Sequence, residues 1–378
     1  MPLPFPRCRM AFFMLACWVA LLAASCKSDP PPPPGDAGVD PLDCPSETTP
    51  VLSDNVSTCT ALPTDYPGGG WPACISDSTL DEYKPINPSI STLARVAAFE
   101  QIADLLWRNQ RIPSIEDFHS AREIYAQNEG LDSRVQRRED VHFDVLPDGK
   151  ACNQIENPEK YPERCAGPAK ILPILNDAFA KGMLGETPRI QARRIEAALL
   201  WFLYLSSLAE VQSCDTNKNN CDSAWAYYTG GTPRNAPVGL AKYVRELSEE
   251  THDRAYDAAL AVRCWRDVDA ADSATRPDLQ NLALKQYDTA LLRGISLTLR
   301  QKAAEWTCAH DEGLPARQAF VQTLFGLMEA GVVEQQPGRA EAFRNLKKRV
   351  DTPPADVALF DELISSIDEF MGELFACP

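Results

Sequence analysis

The sequence lacks the short motifs that mark the common catalytic chemistries. It has no Gly-x-Ser-x-Gly nucleophile turn, no His-Glu-x-x-His zinc motif and no glycine-rich phosphate loop of the P-loop or dinucleotide-binding type. Only four of its 378 residues are histidines, which leaves few positions for histidine-based acid–base catalysis. These absences argue against serine hydrolases, zinc proteases, nucleotide hydrolases and dinucleotide-dependent enzymes.

Positive charge is also scarce. Lys and Arg number 37 against 53 Asp and Glu, which gives a formal net charge of −16. Nucleic acids and anionic lipid surfaces are recognised through a basic surface. The composition therefore argues against nucleic acid as a partner and is compatible with a cation as the ligand.

Thirteen cysteines are present, yet no two of them form a Cys-x-x-Cys pair. This absence disfavours zinc ribbons and thioredoxin-like redox sites. Three cysteines lie within or at the end of the N-terminal leader, and the even remainder of ten predicts disulfides in an oxidising compartment. The pairs predicted from their short spacing are Cys152 with Cys165 and Cys214 with Cys221.

Residues 1–25 have the composition of a secretory signal peptide. Arg7 and Arg9 are followed by the apolar run "MAFFMLACWVALLAA", which ends at Ala24. This run is shorter than the roughly 20 residues needed to span a membrane as a helix. We therefore expect the segment to be removed on export.

The end of the leader, "AASC", resembles the lipobox of bacterial lipoproteins, with Ala23 where leucine is usual. The resemblance implies cleavage before Cys26 and diacylglycerol on the Cys26 thiol. The alternative is ordinary secretory cleavage near Ala24, which would leave Cys26 free. Five prolines at 30–34 favour the lipoprotein interpretation, because a polyproline spacer of about 3.1 Å per residue would hold a folded domain away from the bilayer. The expected location is the bacterial cell envelope, at the outer membrane or its periplasmic face.

A change in composition near Asn87 predicts a domain boundary. Sixteen of the 31 prolines lie in the first 90 residues, and helical periodicity dominates after them. Residues 26–84 are therefore predicted to be a proline-rich spacer and an irregular cysteine-containing segment. Residues 85–378 are predicted to be an all-α, bundle-like domain stapled by disulfides.

The apolar pattern predicts the helices of this domain and one strand-like segment. The stretch "AALLWFLYLSSLA" is apolar on all sides but too short to span a membrane, so it predicts the buried central helix. The segment "VHFDVLPDG" alternates like a strand and ends in a turn. The predicted helices span residues 93–106, 114–130, 188–211, 222–231, 238–266, 277–308, 315–330, 338–350 and 354–375.

Three of the four histidines follow a glutamate by three residues. On helices, two such pairs and two further glutamates build the di-iron carboxylate site of a four-helix bundle. This pattern is the basis for an alternative function, a metal-carboxylate enzyme. Its weakness is that the predicted faces point to solvent rather than into the bundle. The pairs are Glu116 with His119, Glu139 with His142, and Glu249 with His252.

The acidic stretch "RELSEETHDRAYD" predicts an exposed cation site instead. Glu246, Glu249 and Asp253 share one helical face, and His252 lies beside them. Carboxylate oxygens suit iron, calcium, manganese or magnesium. The alternative is an ordinary solvated acidic face. A second acidic stretch, "CDTNKNNCD", begins like a calcium loop but has Asn220 in place of the required glycine, so a turn closed by a disulfide is the better interpretation.

The stretch "DSAWAYYTGG" at residues 222–231 predicts a short helix ended by glycines. Its position after a long apolar helix and before an acidic one is similar to that in the low-iron-inducible periplasmic proteins of algae and their bacterial relatives. The resemblance implies a helical exported protein linked to iron assimilation, with Glu-x-x-Glu pairs as iron ligands. The pairs with that spacing are Glu246 with Glu249 and Glu156 with Glu159.

The sequence thus predicts a lipoprotein of the cell envelope with a non-enzymatic binding role, namely the capture of iron or another hard cation such as calcium. Its membrane contact is expected through the lipid on Cys26. Two alternatives stay open at this point: a metal-carboxylate enzyme of a helical bundle, and a structural or protein-interaction module of the envelope.

Overall fold

Helices account for most of the described residues, as predicted. The computed structural model describes residues 76–77, 82–109, 111–127, 130–267, 277–307 and 313–375. Within them, two short strands, β1 (Ser76–Asp77) and β2 (Glu82–Tyr83), pair antiparallel before the first helix. The helices are α1 Thr92–Leu106, α2 Ile115–Ala126, α3 Leu131–Val135, α4 Asn157–Lys160, α5 Leu172–Met183, α6 Pro188–Gln212, α7 Lys218–Thr229, α8 Leu240–Leu247, α9 Glu249–Asp267, α10 Pro277–Ala304, α11 Gly313–Gln335, α12 Ala340–Asp351 and α13 Val357–Leu374.

Helix α6 is the central element of the core. It begins with Pro188, whose missing N–H costs nothing at the first helical position. Every residue from Ile195 to Leu208 is buried, and the helix packs against α5, α7 and α11. By length and composition α6 could cross a membrane, but 83% of its apolar window is buried inside the fold. The prediction of a buried central helix is therefore confirmed.

Helix α10 organises the other side of the core, where it packs against α8, α9 and α13. Gly294 lies where α10 meets α8. A β-carbon at this position would overlap the side chain of Val244, so the close approach of the two helices requires glycine.

The predicted helix 238–266 is wrong in one respect, because the chain breaks at Ser248 into α8 and α9. Ser248 adopts extended backbone angles of −154° and 106°. Its hydroxyl accepts a hydrogen bond from the backbone N–H of Thr251 at 3.1 Å, which caps the first turn of α9. The apolar stripe continues on both sides of the break, so periodicity alone did not reveal it.

The second predicted helix also ends earlier than expected. Ser114 caps α2 with a capping box to Asp117, as its position predicted. However, α2 ends at Ala126, and Gly130 does not close it. Gly130 instead precedes the first residue of α3.

The strand-like segment at residues 141–145 is a loop between α3 and α4, so that prediction is wrong. Polar contacts shape this loop: the His142 N–H donates to the Asp140 carboxylate at 3.1 Å, and Arg164 donates to the carbonyl of Phe143 at 2.8 Å. No strand among the described residues lies beside it. The predicted turn follows, with Gly149 at a φ of 74° and the Lys150 N–H bonded to the carbonyl of Pro147 at 3.0 Å.

Two disulfides staple the described helices and loops. They join Cys152 to Cys165 and Cys214 to Cys221, the pairs expected from their spacing. The second closes the loop that resembles the start of a calcium site. The leader, Cys26, the proline spacer and the side chains of the other cysteines expected to pair lie outside the described residues. Those other cysteines are Cys44, Cys59, Cys74, Cys264, Cys308 and Cys377.

Replacing both Cys152 and Cys165 with serine should lower the free energy of unfolding by about 3 kcal/mol, because a loop closed across 13 residues is freed in the unfolded chain. Urea unfolding of the oxidised protein measures the effect. The matching Cys214→Ser, Cys221→Ser variant frees a loop of only seven residues and should lose less. A larger loss from the shorter loop would contradict this explanation.

Candidate functional site

The carboxylates predicted to bind a cation on the acidic helix are exposed and separately paired. The side chains of Glu246 and Glu249 are 65% and 64% exposed. Glu246 lies 3.9 Å from Lys242, and Glu249 lies 2.8 Å from Arg245. Glu246 follows Lys242 by one turn of α8, and Glu249 follows Arg245 by the same four residues across the junction of α8 and α9. Both are ordinary surface ion pairs. Glu156 and Glu159 are also exposed, at the short helix α4.

His252 does not lie on the exposed face where the sequence analysis placed it. It is fully buried, its Nε2–H donates to the carbonyl of Arg234 at 2.9 Å, and its Nδ1 accepts from the hydroxyl of Tyr228 at 3.0 Å. Asp253 pairs instead with the Arg234 guanidinium at 3.3 Å. Helix α9 is enclosed on most of its sides, since among residues 251–263 only Asp253 and Asp257 are partly exposed, and His252 is buried with the rest. The four predicted ligands are therefore not brought together.

The Glu-x-x-His pairs do not converge either. Glu139 forms an ion pair with Arg164 at 2.5 Å, while His142 contacts other carboxylates. Glu116 and His119 are both exposed on α2. Within the part of the chain that the structure describes, no three His, Cys, Asp or Glu side chains are grouped so that they could hold a metal ion. A metal site in these residues would need a ligand of another type.

The burial of His252 has a consequence for stability in acid. Burial lowers the pKa of His252 to about 4, below the ordinary value of about 6.5 that it regains on unfolding. The unfolded chain therefore takes up a proton first as the pH falls, and stability is lost between about pH 6.5 and 4, by about 2 kcal/mol at pH 5. Urea unfolding of wild type and His252→Gln at pH 7 and 5 measures this.

The Gln variant should lose less stability than wild type between these two pH values. His119→Gln, a change at an exposed position on α2, is the matched control and should follow wild type. Identical pH dependence in the wild type and His252→Gln would show that His252 is not the group responsible.

The "DSAWAYYTGG" motif has a structural role in the described residues. Asp222 on α7 is fully buried and accepts from the hydroxyl of Tyr83 at 2.9 Å and from the backbone N–H of Asn87 at 2.6 Å. The Trp225 ring stacks on Tyr83 with 4.6 Å between centroids, and the Arg263 guanidinium lies 4.8 Å from the same ring. The motif therefore fastens the chain entering the domain to α7 and α9.

A second polar cluster is built around His142, at a place that the sequence analysis did not predict as a site. Its Nδ1–H donates to Asp140 at 2.7 Å and its Nε2–H donates to Asp288 at 2.8 Å. Burial alone would lower the pKa of this imidazole, but the hydrogen bonds and charges of the two carboxylates raise it to about 10. His142 is accordingly a buried imidazolium held between two carboxylates.

Tyr204 completes this cluster from the central helix α6. Its hydroxyl donates to Asp288 Oδ1 at 2.7 Å and lies 3.4 Å from His142 Nε2. Burial raises the pKa of Tyr204 well above its ordinary value, and the charge of Asp288 adds to this. Gln335, the last residue of α11, donates from its amide to Asp288 Oδ2 at 2.8 Å. Asp288 therefore accepts hydrogen bonds from three elements of the fold.

The loop that carries Asp140 and His142 is held from behind by Arg164. The backbone N–H of Asp140 donates to the Arg164 carbonyl at 2.7 Å, and the guanidinium binds the Glu139 carboxylate and the Phe143 carbonyl. Arg164 directly precedes Cys165, whose disulfide closes the same region. The imidazole is thus fixed by a network rather than by a regular element.

Sequence reasoning identified the pair Glu139–His142 but missed the residues that His142 contacts. Asp140, Tyr204, Asp288 and Gln335 come from a loop and three different helices, and no spacing rule connects them. One signal was present: a tyrosine in a helix that is apolar on every side needs a buried partner for its hydroxyl.

Comparison with known proteins returns no match: no family model, no curated protein and no solved structure resembles the chain. The similarity of residues 222–231 to the low-iron-inducible periplasmic proteins therefore stays a prediction.

Proposed function

We propose that this chain is a lipid-anchored protein of the bacterial cell envelope. It captures a hard cation, with ferric iron as the preferred ion, and does not act as an enzyme. The observation that supports this is the convergence of three donor groups: the imidazole of His142, the carboxylate of Asp288 and the hydroxyl of Tyr204. Their separations are 2.8 Å, 2.7 Å and 3.4 Å.

These separations are compatible with a bound metal ion as well as with hydrogen bonds. Ligands about 2.1 Å from an octahedral ion lie about 3 Å apart at adjacent positions. An ion that replaced the Nε2 proton of His142 and the hydroxyl proton of Tyr204 would lie between these two atoms and the Asp288 carboxylate, whose Oδ2 and Oδ1 face them respectively. The donor set is one imidazole nitrogen, one carboxylate and one phenol oxygen, which belongs to the harder end of the protein ligands.

The surroundings of the three donors match what a metal-binding histidine requires. The other ring nitrogen of His142 donates to Asp140 at 2.7 Å, and such a carboxylate fixes the orientation of a ligating imidazole. Gln335 orients the Asp288 carboxylate in the same way. The Asp288 side chain is 14% exposed, so this edge of the cluster reaches solvent.

Charge balance favours a trivalent ion over calcium. With the ion bound, His142 would be neutral and Tyr204 a phenolate, since a bound cation reverses the preference of a buried group for its neutral form. The carboxylates of Asp140 and Asp288 and the phenolate of Tyr204 then carry three negative charges. Ferric iron would be neutralised by these groups, whereas calcium would leave an uncompensated buried charge.

A chelator-buffered ferric solution in equilibrium dialysis tests the proposal. The wild type should bind one iron per chain. Tyr204→Phe keeps the ring but removes the donor, and it should weaken binding at least 100-fold. The Glu246→Gln, Glu249→Gln double variant removes two exposed carboxylates, one on α8 and one on α9, and should bind iron like wild type. Absence of iron from wild type, or equal uptake by Tyr204→Phe, would overturn the proposed site.

The lipid anchor is tested separately. Expressed with its own leader in a Gram-negative host, the protein should partition into the detergent phase, because acyl chains on Cys26 are expected to hold it there. Cys26→Ser should move it into the aqueous phase. Recovery of the wild-type protein in the soluble periplasmic fraction would contradict lipidation. It would not contradict the proposed iron site.

A further inference from the structure

A cavity of about 220 Å³ lies between the C-terminal ends of α8 and α10. Tyr243 and Glu246 from α8 line it together with Thr298, Gln301 and Lys302 from α10. Gln301 follows Asp288 by 13 residues on the same helix, a distance of about 20 Å along its axis. The cavity is therefore separate from the proposed iron site, and the inference drawn from it does not depend on that site.

Three donor groups on the wall of this cavity have acceptors within the protein. The hydroxyl of Tyr243 donates to Glu196 at 2.9 Å. The Lys302 ammonium donates to Glu305 at 3.2 Å, and the hydroxyl of Thr298 donates to the carbonyl of Gly294 at 2.9 Å. A ligand would therefore compete with the protein's own acceptors for these three groups.

Three acceptors of the wall, those of Gln301, Thr298 and Glu246, are open in contrast. Within the described residues, the side-chain oxygen of Gln301 is buried and has no hydrogen-bond partner. A buried acceptor of this kind favours a ligand that donates to it, because a buried polar atom without a hydrogen bond costs free energy. The oxygen of Thr298 has used its hydrogen and keeps its lone pairs. Glu246 adds a carboxylate whose nearest cation, Lys242, is 3.9 Å away.

The backbone contributes negative potential at the same place. Helix α8 ends at Leu247 and α10 ends at Ala304, so residues from the last turns of both helices line the cavity. The C-terminus of a helix carries partial negative charge and favours a cation. Lys302, the cation on the wall, is already paired with Glu305. The open acceptors and the two helix ends therefore favour a positively charged donor as the ligand.

We propose that this cavity binds the ammonium group of a small aliphatic amine. The three N–H bonds of the ammonium would be shared by Gln301, Thr298 and Glu246, and the short alkyl chain would lie against Leu247, which also lines the cavity. The cavity is smaller than the roughly 300–1,000 Å³ of sites for drug-sized ligands, which restricts the ligand to a few carbon atoms.

Isothermal titration of the full-length exported chain with n-butylamine tests this site, with butan-1-ol and butanoate as ligands of similar shape. One molecule of n-butylamine should bind per chain, and the two other ligands should bind at least tenfold more weakly, since a hydrogen bond to a charged group is worth a factor of ten or more. No binding of the amine by the wild type, or equal binding of butanoate, would overturn the proposal.

Two variants distinguish this cavity from general surface charge. Gln301→Met keeps the length of the side chain but removes the acceptor, and it should weaken amine binding about tenfold. Glu246→Gln should weaken it severalfold. Glu249→Gln changes an equally exposed carboxylate outside the cavity and should leave binding unchanged. Equal losses in Glu246→Gln and Glu249→Gln would show that only the net charge matters and would contradict the site.

Discussion

The Asp288→Asn variant should be less stable than the wild type by about 3–5 kcal/mol, because breaking a buried ion pair leaves a charge without its partner. Asp288 accepts hydrogen bonds from His142, Tyr204 and Gln335. The amide nitrogen of asparagine would face these donors as a further donor, and the His142 imidazolium would keep only Asp140. Urea unfolding at pH 7 measures the difference, with a chelator present so that bound metal does not add stability.

Asp104→Asn is the matched control for this change. The Asp104 side chain is 65% exposed and lies 3.4 Å from Arg108 one turn away. An exposed pair of this kind is worth about 0.2–1 kcal/mol. If Asp288→Asn cost no more than Asp104→Asn, the cluster around His142 would not be the tightly coupled network that its distances indicate.

The second large effect is expected at Asp222, where the "DSAWAYYTGG" motif holds the chain that enters the domain. Asp222→Asn should also cost about 3–5 kcal/mol, since the carboxylate is fully buried, bonded to Tyr83 and Asn87, and 3.8 Å from Arg263. The loss should be accompanied by local opening of residues 82–90. Urea unfolding gives the stability, and limited proteolysis detects the opening.

Asp253→Asn serves as the control, because Asp253 is a partly exposed carboxylate on α9 that pairs with Arg234. It should lose less than 1 kcal/mol and leave the proteolysis pattern unchanged. Unchanged cleavage of residues 82–90 in Asp222→Asn would contradict the fastening role assigned to the motif.

Much of the fold could be predicted because its helices carry local signals. The apolar run of α6, with Pro188 at its first position, predicted a buried central helix with nearly the observed ends. Ser114 marked the start of α2, where the structure shows a capping box. The short spacing of cysteines gave both described disulfides. All of these signals lie within one element or one loop.

The break at Ser248 shows where such reasoning stops. A continuous apolar stripe from Leu240 to Val262 predicted one helix, and that helix put His252 on the solvated face. The chain breaks at Ser248, and α9 is buried on most of its sides, so His252 is a buried neutral histidine bonded to Tyr228. The apolar stripe of one helix could not show how many neighbouring elements enclose it.

The cluster around His142 was beyond sequence reasoning for a different reason. His142 is separated from Asp288 by 146 residues, and Tyr204 lies on another helix between them. The loop that carries His142 looked like a strand because Val141, Phe143 and Val145 alternate with polar residues. The packing of α6 against α10 brings Tyr204 to Asp288, and the loop between α3 and α4 places His142 beside both.

The proposal that Tyr204 ligates iron is tested most directly by visible spectroscopy, because ferric iron bound to a phenolate absorbs visible light through charge transfer. On addition of one equivalent of ferric iron, the wild type should develop such a band. Tyr287, the residue before Asp288, has a buried hydroxyl that lies 2.6 Å from the hydroxyl of Ser207. The Tyr287→Phe variant lacks this hydroxyl and should keep the band. Tyr204→Phe should lose it. A wild type without the band, or a band that survives in Tyr204→Phe, would contradict the proposed iron site.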